Sequence, residues 1–418
     1  MKKRFLLLAL LIPVMICCTN QGKENSGEGG EQTEQKEEKD YKEPVFNRYS
    51  GDPADEVLQE LPPQINSGDV VQATRPYVEK FLTEVKYPDH DCNETRILDY
   101  EGGFNDPDAK EYGVSNADKP ALYTIRWTAD PSAGELELTL KDGGWSQKVK
   151  IEAGKDSQII SNLRPNASYT YEVKSTSGKV MASGNFKTTG SLHQVFFEWN
   201  VRNARDLGGW KTYDGKTVKY RKIYRGGRLE GSTMSREGRE AVLAEGIKAQ
   251  LELRGSSDML QYTALGKDYD FCNPCIDNGG TSMLSKYKDK TKECFEFVVK
   301  CVREDKPVYF HCSLGRDRTG TLAALLLGVL GVPEGDVSQE YELTYFAPRG
   351  WSIAYSETSK VFKNTRQREY KDVADFLWRR GRNGDGTFQR FDKCVENYLL
   401  EIGVEQKDID DFRALMLE

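Results

Sequence analysis

Residues 308–332 read V-Y-F-H-C-S-L-G-R-D-R-T-G-T-L-A-A-L-L-L-G-V-L-G-V. Val308–Phe310 is an apolar run of β type that delivers His311 and Cys312, and a short polar loop, Ser313–Arg318, follows. Thr319 opens an apolar helical run that ends near Gly331 and Pro333. A cysteine at the end of a buried strand, with a loop wrapped over a helix N-terminus, makes an anion site. Loop N–H groups and the positive end of the helix dipole converge on one spot. The same field favours a thiolate over a thiol at Cys312. Five residues separate Cys312 from Arg318, whose planar fork is suited to gripping two oxygens of a phosphate.

The run H-C-S-L-G-R-D-R-T-G (311–320) resembles the signature loop of the cysteine-dependent protein tyrosine phosphatases. It is similar in particular to the bacterial group whose loop reads H-C-x-x-G-K-D-R-T-G, with Arg316 in the place of the lysine. Motifs on either side extend the resemblance over about residues 195–418. They are N-A-R-D-L-G-G (203–209), K-I-Y-R-G-G-R-L (222–229, with Gly226 for the usual serine), E-L-R (252–254, with Glu252 for the usual aspartate) and Y-E-L-T (341–344). The pair F-D-K-C-V-E-N-Y-L-L-E-I-G-V (391–404) and Ile409–Leu417 resembles the C-terminal helices of that group.

The resemblance implies a phosphocysteine mechanism without metal or cofactor. Cys312 is the nucleophile, and Arg318 with the amides of Ser313, Leu314, Gly315 and Arg316 binds the phosphoryl oxygens. Thr319 assists the sulfur as leaving group, and His311 orients the loop. The chain has no W-P-D triplet, so the proton donor implied is the loop aspartate, Asp317, whose alternative is a structural pairing with Arg316 or Arg318. Asp206 and Asp258, on motif loops, are the other candidates, with a structural role the stronger reading for Asp206. Arg225 and Arg254 either shape a positive field or form salt bridges. The substrate implied is a phosphorylated protein, phosphotyrosine above all. An inositol phosphate or phosphoinositide is the alternative, and Arg349, Lys360, Lys363 and Arg366 are candidates for a basic rim.

Elsewhere the chain is organised differently. At 418 residues it suits two or three domains. Its net charge of −7 gives no bulk basic surface for nucleic acid, and three histidines (His90, His193, His311) argue against a histidine zinc site. Residues 1–18 read as a targeting segment: Lys2, Lys3 and Arg4, then an apolar run, then V-M-I-C-C. This resembles a lipoprotein signal, with Cys17 or Cys18 as the lipidated residue, and so predicts an exported protein anchored in a bacterial cell envelope. An ordinary secretory signal or a short uncleaved anchor is the alternative. Residues 19–44, rich in Glu, Gly, Lys and Gln, read as a flexible acidic tether.

Residues 45–94 are assigned no fold beyond short helices at Ala54–Leu61 and Tyr77–Val85. Between 95 and 190, Ala121–Thr128, Glu135–Leu140, Gln147–Ile151 and Ser168–Lys174 alternate in polarity between Gly and Asp turns, the pattern of an all-β sandwich. With Trp127 and L-x-P-x-x-x-Y-x-Y-x-V (163–173), this part resembles a fibronectin type III module. The expected architecture is therefore an immunoglobulin/fibronectin-like sandwich followed by an α/β cysteine-phosphatase domain over 191–418. In that domain a helix is expected at Ser235–Glu245, a strand at Ile247–Leu253 and a helix from about Lys286 to Glu304. Trp145 and Trp210 are read as packing rather than glycan-binding aromatics, and Cys294 and Cys301 as core. C-N-P-C (272–275) reads as a local turn, with a disulfide as one option. A binding or adhesion protein with a weak catalytic unit is the reading from another class.

Overall fold

A computed structural model describes residues 61–84, 87–90, 119–198, 201–230, 234–255, 262–347 and 367–418. The signal, the tether, all of the 54–61 helix but Leu61, Cys92, Asp258 and the four candidate rim cations lie outside those residues.

The described chain opens with strand β1 (Val70–Gln72) and helix α1 (Pro76–Glu84), the latter as the sequence suggests. Seven strands make up the N-terminal sheets, six of them β2 (Tyr123–Arg126), β3 (Leu136–Asp142), β4 (Trp145–Ile151), β5 (Ser157–Ile160), β6 (Ser168–Ser175) and β7 (Val180–Thr189). They form a five-stranded sheet, β1-β7-β6-β3-β4, and a two-stranded ribbon, β2-β5. All pairings are antiparallel except β1 with β7. The alternation visible in the sequence is the inward–outward alternation of the strands. In β6, Tyr169, Tyr171 and Val173 point inward and join Ile125, Leu136, Leu138, Leu140, Ile160 and Phe186 in one apolar core. The Tyr169 ring stacks on Phe186 at 5.1 Å, and its hydroxyl accepts a hydrogen bond from the backbone N–H of Arg164 (2.7 Å). The three-residue β1 belongs to this sheet although it precedes residue 95.

The C-terminal part is α/β. Its elements in order are β8 (Arg205–Asp206), β9 (Ile223–Gly226), α2 (Arg236–Ala244), β10 (Ala249–Glu252), β11 (Asp270–Cys272), α3 (Gly280–Lys286), α4 (Lys288–Arg303), β12 (Val308–His311), α5 (Asp317–Leu330), α6 (Glu334–Glu342), α7 (Gln367–Trp378), α8 (Phe391–Glu401) and α9 (Gln406–Met416). The sheet order is β11-β10-β12-β9-β8, parallel except for β8. Both faces are covered, as a parallel sheet requires. Val308 and Phe310 face the large core with α4, α5, α8 and α9, whereas Tyr309 faces the smaller core with Tyr224, Val242 and Ile247. Helix α5 is buried from Thr319 to Leu330 and ends at Gly331 in the left-handed conformation (φ 91°).

The helix expected from about Lys286 to Glu304 is α4, with Phe295, Val298, Val299 and Val302 on its buried face; the shorter α3 precedes it. Two expectations are corrected. The signature helix starts at Asp317, two residues before Thr319. Cys272 and Cys275 are free thiols, as are Cys294, Cys301, Cys312 and Cys394.

The described elements belong to one compact unit, and specific contacts join the two sheet systems. The Arg221 guanidinium lies over the Trp145 ring at 3.7 Å and pairs with Glu245 at 2.5 Å, so Trp145 is a packing residue, as is Trp210 against the large core. Asn162 accepts from the N–H of Phe196 (2.7 Å). Residues 61–90 act as a strap across both systems. Strand β1 extends the N-terminal sheet, Phe81 meets Phe346 (5.4 Å), the Tyr87 hydroxyl donates to Glu342 (2.8 Å), and the N–H of His90 donates to Glu334 (2.9 Å).

Candidate active site

The carboxyl ends of β9, β10, β11 and β12 share one edge of the sheet, which is where an open α/β sheet offers its crevice. Cys312 follows β12 there, nearly fully buried at 3% exposure. Elsewhere burial pushes the Cys272 and Cys301 thiols up to about 12, Cys394 up to about 11 and Cys294 well above its usual value, which disfavours their thiolates.

The loop after Cys312 is held from behind. Gly315 has φ 67°, and a Cβ there would lie 2.3 Å from the backbone of Gly226, so only glycine fits. Its carbonyl accepts from Asn203 Nδ2 (2.7 Å) and Arg225 Nη2 (2.5 Å). Those two side chains are fixed in turn. Asn203 Nδ2 also donates to Thr344 Oγ1 (2.6 Å), and Arg225 Nη1 pairs with Glu340 Oε2 (2.7 Å). Glu340 Oε1 receives Arg205 Nε at 2.7 Å, and Arg205 also donates to Asn203 Oδ1. Arg225 is fully buried, and Arg205 and Glu340 nearly so. Two cations around one anion satisfy a cluster that would be very costly if any member were missing. The N-x-R-D-L-G-G and Y-R motifs thus converge beneath the loop, and Arg225 is in a salt bridge as well as on the loop carbonyl. No local pattern singles out Glu340, one residue before Y-E-L-T, or assigns Asn203 a role of its own.

The departure at Gly226 also has a cause. A Cβ at this position would sit 2.1 Å from the Tyr309 hydroxyl, which donates to the Gly227 carbonyl (2.8 Å). Tyr309 on the neighbouring strand occupies the space a serine would need.

His311 is fully buried, and burial holds its imidazole below the usual pKa, so it is neutral. Gln250 Oε1 accepts from the N–H of Ala264 (2.7 Å) and from Thr263 Oγ1 (2.9 Å). Gln250 Nε2 is therefore the donor to His311 Nε2 (2.8 Å), leaving the ring proton on Nδ1, which faces the Cys312 carbonyl at 3.3 Å. Gln250 and Thr263 are second partners that motif reading does not reveal.

The remaining candidates divide. Arg318 Nη1 donates to the Ile276 carbonyl (2.9 Å) on the loop after β11. Thr319 Oγ1 is buried and has no hydrogen-bond partner, so the expected bond to the sulfur is not made here. Both oxygens of Asp317 accept from Arg316, at 2.7 and 2.9 Å. Ser313 and Leu314 lie half-buried between Cys312 and Gly315. Asp206 is buried away from the loop, where it accepts from the N–H groups of Gly208 (2.8 Å) and Arg221 (2.6 Å) and meets His193 Nδ1 (3.0 Å), a structural role. Arg254 is bound by Glu252 (2.5 Å) and Glu230 (2.6 Å). Among the described residues no cluster of three or more His, Cys, Asp or Glu could hold a metal ion.

Two curated relatives are similar to the chain over part of its length. A Cupriavidus necator protein that carries a tyrosine-protein phosphatase name is 26% identical over 172 residues, 36% of this chain and 62% of that protein. A tyrosine-protein phosphatase of Nostoc commune is 29% identical over 126 residues, 25% of this chain and 43% of that protein. The match thus spans less than two thirds of either relative. Among solved structures, DUSP15 superposes with a TM-score of 0.24 at 16% identity, covering 38% of this chain and 94% of that one. The PP-IP phosphatase SIW14 core of S. cerevisiae gives 0.23 at 15%, covering 37% and 86%. The sequence model of the tyrosine phosphatase family matches residues 199–418, from just before the Asn203 motif through α9. That match covers more than half of the chain, and by it the protein belongs to the tyrosine phosphatase family.

Proposed function

We propose that the protein hydrolyses phosphomonoesters through a phosphocysteine, with phosphotyrosine in proteins as the substrate. The observation that carries this reading is the signature loop itself. Cys312 sits at the end of a buried strand, the Gly315 carbonyl is drawn back by Asn203 and Arg225, and a buried helix starts at Asp317. With that carbonyl turned away, the loop's N–H groups and the helix dipole are left for an anion. The Cys312 thiolate attacks phosphorus in line, Arg318 and the loop amides take the equatorial oxygens, and water then cleaves the S–P bond. The unpartnered Thr319 hydroxyl is available to the sulfur as it leaves.

The phosphotyrosine reading is favoured over inositol polyphosphates by charge. A pocket of about 310 Å³ beside Arg318 is lined by Asp277, Asp317 and Asp372, and Arg318 is the one cation among its described lining residues. Additional phosphates there would face carboxylates, whereas a tyrosyl ester carries only one. The other elements of the proposal are a lipid anchor at Cys17 or Cys18 in a bacterial cell envelope and a fibronectin type III-like module over 95–190. The latter is supported by the strand alternation and by the Tyr169 hydroxyl bound to the chain five residues upstream.

The test compares wild type with Cys312→Ser on a phosphotyrosine peptide and on inositol hexakisphosphate. Turnover of the peptide, lost in Cys312→Ser, is expected. Preferential release of phosphate from the inositol ester would replace the substrate assignment, and an inert wild type would leave a binding protein.

A further inference from the structure

We propose that Asp277, on the loop after β11, is the proton donor of this reaction, an assignment that rests on the phosphatase reading above. A general acid must hold a proton when the leaving oxygen departs. Asp317 is poorly placed for this, because both of its oxygens are engaged in a bidentate pairing with Arg316.

The loop from Asn273 to Gly279 emerges at the same sheet edge as Cys312 and is fastened to the start of the signature helix. Arg318 Nη1 donates to the Ile276 carbonyl at 2.9 Å, and the Gly280 N–H donates to Thr321 Oγ1 at 2.9 Å. Gly279 lies so close that a Cβ on it would be 2.6 Å from the N atom of Arg318. Asp277 adjoins the very carbonyl that Arg318 holds. Its side chain turns toward the loop that follows β10, where Oδ1 would be 1.9 Å from a Cβ on Gly255, and Oδ2 accepts from the Tyr287 hydroxyl (3.2 Å). Strand β10 pairs in parallel with β12, so the loop that Asp277 meets leaves the sheet at the same edge at which β12 delivers Cys312. It is exposed into the pocket that Arg318 walls. A hydroxyl partner can serve either protonation state of a carboxyl group, unlike the guanidinium on Asp317.

The step balances as follows. As the Cys312 S–P bond forms, the P–O bond breaks and the Asp277 proton passes to the departing oxygen. Water then attacks phosphorus and gives its proton to the Asp277 carboxylate, and the S–P electron pair returns to sulfur.

The experiment measures kcat/KM of the full chain for a phosphotyrosine peptide, a poor leaving group, and for p-nitrophenyl phosphate, a good one. Asp277→Asn should lose about 10²–10³-fold on the peptide and less than about tenfold on the nitrophenyl ester, with an unchanged Tm and partial recovery in Asp277→Glu. Asp317→Asn should slow both esters alike. Equal slowing of both esters by Asp277→Asn, or no slowing, overturns the assignment, as does a leaving-group dependence carried by Asp317→Asn. Tyr287→Phe removes the loop's hydroxyl contact but keeps the carboxyl group; if it reproduces the Asp277→Asn pattern, Asp277 acts only through loop structure and the proposal fails. Loss of turnover in Cys312→Ser alongside any of these results keeps the underlying reading intact, whereas a wild type inert toward both esters overturns both.

Discussion

The N-terminal sheets and the C-terminal sheet are built on opposite economies of buried charge. The core around Leu138, Tyr169 and Phe186 is apolar, and beside it Asp142 pairs with a partly exposed Arg164 (2.6 Å). The α/β unit instead buries Arg205, Arg225, Arg254, Glu252, Glu340 and His311. Charges in that number are expensive to desolvate, and replacing such clusters with apolar residues often stabilises a fold. Their concentration beneath the signature loop indicates a structure arranged for chemistry, while the N-terminal sheets are arranged for packing.

The largest expected effect tests that division directly. Glu340→Ala strands two buried guanidinium groups and should cost about 3–5 kcal/mol, and it should also lower kcat/KM of the protein that remains folded, because Arg225 no longer fixes Gly315. Leu138→Ala, in the other core, should cost about 2–5 kcal/mol through cavity formation and leave kcat/KM unchanged. Denaturant midpoints and kinetics on the same samples check both. A kinetic defect in Leu138→Ala would break the division.

Next in size is the pairing of Gly226 with Tyr309. Gly226→Ser should destabilise by about 1–3 kcal/mol through overpacking. In a Tyr309→Phe background its cost should shrink, because the hydroxyl that occupies the space is gone. Additive costs in the double mutant would mean that the two positions are not coupled.

The smallest effect concerns His311. The unfolded side chain titrates near pH 6.5, while burial keeps the folded one below that value. As pH falls below about 6.5 the unfolded chain takes up a proton that the folded chain does not, so stability should decline with acidity and be flat above that window. A pH series of unfolding midpoints should show less decline in His311→Asn than in wild type.

The sequence disclosed the α/β unit better than the sheets before it, for physical reasons. A strand, a Cys-to-Arg loop and a helix apolar on all sides each carry a strong local signal, and the motif residues Arg225 and Asp206 were visible by name. What escaped was tertiary. Strand β1 has three residues and is defined by parallel pairing with Lys187–Thr189, which no local pattern announces. Helix α3 has seven residues, too few for a 3.6-residue period to stand out. Glu340 reads as one carboxylate on a polar helix, and only the fold brings it between two arginines. Asp277 lies in a turn whose two cysteines draw attention away from the carboxylate beside them.

The strap formed by residues 61–90 has a consequence for the order of folding. Tyr87 and Glu342 are 255 positions apart, and His90 and Glu334 are 244 apart. These contacts carry a large loop-closure entropy and need α6 already in place. During synthesis the strap leaves the ribosome before both of the bodies it joins, and its anchorage on α6 must wait until nearly the whole chain has followed.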